Sequence, residues 1–355
     1  MRQIFATFAF FLAALPAQAA TPVESILANA LEAYVRPGYA ELEGAAVNLA
    51  GAAKTLCETP NTENLISAQS AFKSTVAQWS KIEWFRAGAV MNDNRIERMF
   101  YFPDRKGTGL KQVQAALAEQ DANAAKPETL ATKSVAMQGL GASEFLLFGS
   151  GSETLANADG AFRCAYVLAS AQTMATIVGD LKNGWAAQSE ATEFWTKPAA
   201  NNPFFRTDTE ALNLQIGILI HGLEAVKDVR LAAFIGKTPE ADKPKLAPYW
   251  RSEMTFASVA VNLEGLQQLY EASKLQAVLP SGNDALLRTI KFDFAQAIRA
   301  AKALDMPVAT VVAGADLRKK AVYLQLAVQI LIDHFNVEFA KAAGLEAGFS
   351  FADGD

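Results

Sequence analysis

Apolar residues in this chain recur at steps of three and four, and alternation of β-branched residues at a two-residue period is almost absent. Leu65, Phe72, Val76 and Trp79 carry the pattern clearly, and that spacing gathers them on one face of an α-helix. A sequence with this period cannot be laid out as half-buried strands, so the expected fold class is all-α. Alanine is abundant, and glycine and proline collect at the breaks between periodic stretches. The periodicity predicts helices over residues 23–56 with a break near Pro37 and Gly38, 62–85, 109–120, 127–148, 160–185, 210–235, 249–272, 284–304 and 315–343. Pro307 to Gly314 is expected to be a break. Trp79 and Trp84 are expected in the core.

The first residues are Met1, Arg2 and Gln3, followed by an apolar run from Ile4 to Leu15 and then Ala17-Gln18-Ala19. This is the pattern of a secretory signal peptide cut after Ala19, so residues 1–19 are excluded from the fold and a periplasmic location is expected. No later apolar run is long enough to span a bilayer. The chain carries a formal charge of −5, which argues against a nucleic-acid surface. Its two cysteines, Cys57 and Cys164, are expected to form one disulfide in an oxidising compartment. A loop rich in proline and asparagine near residues 197–208 suggests two domains, 20–195 and 196–355. Arg163-Cys-Ala-Tyr166 with Gln172 parallels Lys320-Ala-Val-Tyr323 with Gln329, a faint mark of a duplicated bundle.

The stretch Gly139 to Gly149 joins a small-residue half (Gly139, Gly141, Ala142, Ser143) to a large apolar half (Phe145 to Phe148), with Glu144 between them. Four large apolar residues in a row point all round a helix, so this turn is expected to be buried. A buried carboxylate must be paired, protonated or bound to a cation. A tight helix crossing with one satisfied glutamate and a functional site are both open readings of these residues.

The same stretch resembles the signature segment of the imelysin family, Gly-x-His-x-x-Glu followed by an apolar run and glycine. Gly139, Glu144, Leu146, Leu147 and Gly149 match, and Gly141 stands at the histidine position. Tyr101-Phe-Pro-Asp104, Trp250-Arg-Ser252 and the terminal Gly348-Phe-Ser-Phe-Ala-Asp-Gly-Asp355 also fit, in the family's order. The resemblance implies two similar four-helix-bundle domains with a functional site where they meet. It implies a role connected with bacterial iron uptake and argues against peptidase activity.

Other residues offer chemistry without settling it. Arg86, Arg95, Arg98, Arg105 and Lys106 alternate with Asp93, Glu97 and Asp104 beside Phe100, Tyr101 and Phe102. This is either a cationic, aromatic wall for an anion or for Glu144, or a solvated connection with local ion pairs. Asn213, Gly217, His221, Glu224 and Asp228 share one helix face. His221 and Glu224 could bind one metal from successive turns, or the stripe is solvent-facing with Lys227 or Arg230 as its cation. His334, between Ile332 and Phe335, reads as a core or cap residue.

No His-Glu-x-x-His, Gly-x-Ser-x-Gly or phosphate-binding glycine loop is present. Carboxylate sites with few histidines suit hard cations such as ferric iron or calcium, and arginine-rich sites suit anions or chelated metal. The expected ligand-binding set is therefore Gly139, Gly141, Glu144, Arg95, Arg98, Asp104 and Arg251, with Glu144, His221 and Glu224 as the metal candidates. Together these point to a periplasmic imelysin-like binding or accessory protein. Its partners would be iron or an iron chelate, and an outer-membrane receptor or transport component. The alternatives are a divergent metallopeptidase and an envelope interaction module without a small ligand.

Overall fold

A computed structural model describes residues 22–345, so the signal-peptide and C-terminal motif expectations lie outside the described residues. Every regular element among these residues is helical. In chain order they are α1 (Pro22–Ala30), α2 (Arg36–Glu58), α3 (Thr62–Ile82), α4 (Arg95–Met99), α5 (Thr108–Glu119), α6 (Pro127–Leu130), α7 (Gly139–Phe148) and α8 (Ala161–Gly184). Then come α9 (Glu190–Thr196), α10 (Asp208–Glu224), α11 (Thr255–Ser273), α12 (Asp284–Lys302), α13 (Val308–Ala313), α14 (Ala315–Asp333) and α15 (Ala340–Ala342). No helix among the described residues is long and apolar enough to cross a membrane.

The helices gather into two groups. In the first, α2 packs along α3 and α8, and α7 closes against α8 and α3. The seam of α2 is Leu42, Ala46, Leu49, Ala53 and Leu56, all fully buried. Steps of four and three keep that stripe facing its neighbours, and the alanines let α8 come close. Asn61 starts α3 by accepting the Asn64 amide at 2.8 Å. In the second group α11, α12 and α14 pack in succession, with α10 against α11 and α14.

The groups join where α11 packs on α3. A Cβ at Gly265 would collide with the Lys81 carbonyl, so this crossing needs a residue without a side chain. α1 lies with the second group, against α10 and α11. One face of the His221 helix is therefore covered by α1 rather than by solvent alone.

Cys57, in the last turn of α2, is bonded to Cys164, in the first turn of α8, with Cα atoms 5.5 Å apart. The bridge closes a loop of 107 residues. Its loss is expected to cost about 2–4 kcal/mol, mainly through greater freedom of the unfolded chain. The α2–α8 seam should hold the fold nonetheless. Urea unfolding of the Cys57→Ser/Cys164→Ser variant should show a lower midpoint with an intact native baseline.

Several expected boundaries differ. No break occurs at Pro37: residues 31–35 widen into a π-helical turn, with the Arg36 amide on the Leu31 carbonyl. That extra residue absorbs the hydrogen bond that Pro37 cannot donate. The expected helix 127–148 is interrupted, and α7 is a separate element beginning at Gly139. Pro307–Gly314 is not a break throughout, since Val308–Ala313 is helical. Tyr166 is fully buried, whereas Tyr323 is 48% exposed, so the two matching sequences do not play matching roles.

Candidate functional site

α7 exists because its surroundings satisfy both of its ends. Gly139 starts it at φ +67, a conformation that glycine adopts freely. A Cβ there would collide with the carbonyls of Arg98 and Met99. At the other end, Arg163 donates to the Leu146 and Ser150 carbonyls at 3.0 and 2.7 Å, and Gln69 donates to Leu147 at 2.8 Å. Leu140, Phe145, Leu146 and Leu147 are buried, as the unbroken apolar run requires.

Glu144 is buried within this helix, and its partners come from the second helical group. One carboxylate oxygen accepts the amides of Arg251 and Ser252, both at 3.0 Å, and the Ser252 hydroxyl at 2.9 Å. The other oxygen lies 3.9 Å from the Arg251 guanidinium. The segment 249–254 was expected to open a helix. Instead it is a turn before α11, with Tyr249 and Glu253 at φ +55 and +61. Left-handed non-glycine residues cost energy and persist where the surroundings hold them. Here the Glu144 carboxylate does so, together with Tyr249, whose ring stacks on Phe100 at 4.4 Å.

Burial pushes the Glu144 carboxyl above its ordinary 4.5, although Ser252 and Arg251 pull the other way. Burial likewise lowers Arg251, opposed by Glu144. Both partners thus shift toward their neutral forms. A carboxyl raised on folding binds its proton more tightly in the folded state. Its contribution to stability is fully present below 4.5 and is lost as pH rises through the raised folded value. Urea unfolding at stepped pH should therefore show wild type losing stability relative to Glu144→Gln as pH climbs from 4.5 toward neutrality. Wild type gaining stability relative to Glu144→Gln over that range would reverse the sign.

Above this clamp lies a cavity of about 540 Å³, walled by residues of both groups. The first contributes Tyr101 to Arg105, Gly141, Glu144 and Phe145. The second contributes Asp228, Lys243, Lys245, Trp250 and Arg251. A Cβ at Gly141 would meet only the Tyr101 carbonyl, at 3.9 Å, so a side chain there has room. Arg251 lies over Trp250 at 4.4 Å and over Phe145 at 5.4 Å, within cation–π range of both rings.

The expected site residues divide. Gly141, Glu144, Asp104 and Arg251 line the cavity. Asp104 also has a structural task, accepting the amides of Thr108, Gly109 and Leu110 at 2.6, 2.9 and 3.2 Å and so capping α5. Gly139 serves the backbone crossing described above. Arg95 and Arg98 do not line the cavity. Arg95 bonds the Ala89 carbonyl at 2.8 Å and faces Asp93 and Asp180, and Arg98 bonds Gln138 at 3.2 Å. The one-turn α4 directs both back into the first group.

The metal candidates are also separated. His221 and Glu224 meet each other at 3.1 Å on α10, outside the cavity that holds Glu144. Among the described residues no three His, Cys, Asp or Glu side chains come together as a metal set. Glu144, His221 and Glu224 therefore do not form one. His334 is the C-cap residue of α14, and its ring bridges Asp293 at 3.0 Å and Glu338 at 2.7 Å.

Three features escaped the sequence. Lys243 and Lys245 sit in a polar loop that carries no periodic signal. Ser252 lay within a quoted segment, but nothing local marked it as a partner of Glu144. Arg230, considered above as a cation for the α10 stripe, pairs instead with Glu83. Lys227 faces Asp228 at 3.4 Å.

An all-α chain of two helix groups, clamped by one buried motif glutamate beneath a cleft, defines a two-bundle helical protein with a concave cleft at the junction. The Imelysin family model, which carries a peptidase label, matches residues 35–334, and the chain belongs to the imelysin family. An imelysin-like protein from Psychrobacter arcticum 273-4 shares the fold at TM-score 0.73 and 19% identity, over 92% of this chain and 97% of that one. A structure from Parabacteroides distasonis ATCC 8503, named for an iron-regulated protein A precursor, superimposes at TM-score 0.75 and 16% identity, over 92% and 97%. No curated protein sequence matches the chain.

Proposed function

We propose that the protein is an exported, periplasmic binding or accessory protein of iron acquisition. It holds its ligand in the cleft between an N-terminal domain, residues 20–195 without α1, which packs on the other group, and a C-terminal domain, residues 196–355. The observation that carries this reading is the use made of Glu144. The motif carboxylate is committed to the turn 249–254, so it builds the wall of a cleft rather than acting as a catalytic base. A metallopeptidase would need a ligand set to hold its metal, and none is assembled among the described residues. The leader-like N-terminus and the Cys57–Cys164 bridge support export. The name of the Parabacteroides distasonis structure supports the link to iron.

Trp250 lines the cleft, so its fluorescence reports binding there. Ferric citrate, ferrous iron and haem should be titrated into wild type and into Gly141→Leu, which fills the cleft without touching the Glu144 bonds. At least one titrant is expected to bind wild type and to lose affinity in the variant, with thermal stability retained. Silence from all three would overturn the reading.

A second reading, an envelope interaction module, has its own observation. Tyr323, Leu326, Ile330 and Val337 are exposed by 37–60% at steps of three, four and seven along α14 and the π-helical turn that follows it. Co-purification of an outer-membrane receptor or transport component, lost in Leu326→Glu, would favour it.

A further inference from the structure

The charged groups of the cleft are unequally occupied. Its three carboxylates all have partners: Asp104 caps α5, Glu144 holds the 249–254 turn, and Asp228 faces Lys227. The cations are placed differently. Arg105, Lys243 and Lys245 line the same cavity, are exposed, and are paired with no carboxylate among the described residues. The Arg251 guanidinium, 3.9 Å from the Glu144 carboxylate, lies over Trp250 at 4.4 Å and over Phe145 at 5.4 Å. A hard cation needs about six oxygen ligands, and this cleft has no uncommitted carboxylate to begin such a shell.

A second cavity of about 520 Å³ shares Phe145, Lys245, Trp250 and Arg251 with the first. The Arg251–Trp250 ridge is thus reached from two sides. Each cavity is of the size that takes a small organic ligand, far larger than a bare ion requires. A planar, pre-oriented guanidinium with two flexible ammonium groups nearby is a receptor for carboxylates.

We propose that the cleft binds a small polycarboxylate anion through Arg251, Lys243 and Lys245, and takes metal only as the preformed chelate of such an anion. This rests on the reading of the cleft as the ligand site and specifies what that site accepts. In such a complex the anion supplies the metal's ligands. The protein supplies positive charge and an aromatic wall, and no carboxylate of the chain needs to leave its partner.

The test is calorimetric, on the full mature chain. The titrants are citrate alone, ferric citrate, and ferrous iron in a non-coordinating buffer. The proteins are wild type, Lys243→Glu/Lys245→Glu, and Lys320→Glu as a control for surface charge. Citrate and ferric citrate are both expected to bind wild type and Lys320→Glu. Affinity should fall at least tenfold in the double variant and also fall as sodium chloride rises. Ferrous iron alone is expected to give no binding heat. Binding of ferrous iron alone, with affinity unchanged in the double variant, would overturn this proposal and leave the iron-binding reading standing. Chelate binding indifferent to the lysines would also overturn it. No binding by any of these titrants, with haem also silent in the Trp250 titration, would remove the small-ligand reading as well.

Discussion

Glu144→Ala is expected to destabilise the protein by about 3–5 kcal/mol at neutral pH, the cost of removing one partner from a buried, hydrogen-bonded pair. The substitution leaves the amides of Arg251 and Ser252 and the Ser252 hydroxyl without their acceptor, and the Arg251 guanidinium without its counter-charge. The turn 249–254 also loses the contact that stabilises its left-handed residues. Urea unfolding should show the midpoint falling in Glu144→Ala and falling much less in Glu144→Gln, whose amide oxygen can still accept. Amide exchange should be accelerated at Arg251 and Ser252 before it is accelerated in α2 or α8. Equal loss in the alanine and glutamine variants would mean that charge, not acceptance, holds the turn.

The second large effect is expected at Arg230. Its guanidinium pairs with Glu83, which also accepts from Asn262 at 2.8 Å, and both charged side chains are buried. Arg230 lies over Trp84, Phe100 and Phe102 at 5.3, 4.7 and 4.9 Å. Phe100 in turn stacks on Tyr249, and Phe102 lines the cleft. Arg230→Ala is expected to cost about 3–5 kcal/mol, because it strands the Glu83 carboxylate in an apolar setting and opens a space among three rings. Glu83→Gln/Arg230→Met should recover most of that loss, since a buried pair can be replaced by uncharged groups of similar volume at little cost. A double-mutant cycle on urea midpoints reads the coupling directly. A double variant no better than Arg230→Ala would place the energy in the aromatic stacking rather than in the ion pair.

Together these two pairs show how the junction is built. Glu144 reaches from the first helix group to the turn before α11, and Arg230 reaches back from the segment after α10 to the end of α3. Each is a buried charge whose partner lies on the other side. The cleft walls are therefore tied to the same contacts that join the groups.

Local pattern carried far in this chain. The spacing of Leu65, Phe72, Val76 and Trp79 placed α3 and its buried face, because side-chain direction along a helix follows from sequence position. Two cysteines with no others to choose from left one possible bridge, and it formed. The residues around Glu144 marked it as buried, because four large apolar neighbours leave a helix no wet side. The resemblance, carried by Gly139, Glu144, Leu146, Leu147 and Gly149, pointed to the family that the whole-chain match then showed.

Pattern failed wherever a partner came from far along the chain. Nothing near Glu144 announced Ser252, 108 residues away, and nothing near Arg230 announced Glu83, 147 residues away. Arg95 and Arg98 had the right charge and neighbourhood, yet the turn of α4 aimed them at Ala89 and Gln138. Lys243 and Lys245 looked like ordinary loop residues until folding set them in the wall of the cavity that Arg251 also lines. Helix identity and burial are decided over one or two turns, where three- and four-residue spacing alone sets which side chains share a face. Which buried charge meets which partner depends on how separate helices cross, and that geometry exists only once α3, α7, α11 and the 249–254 turn have packed together.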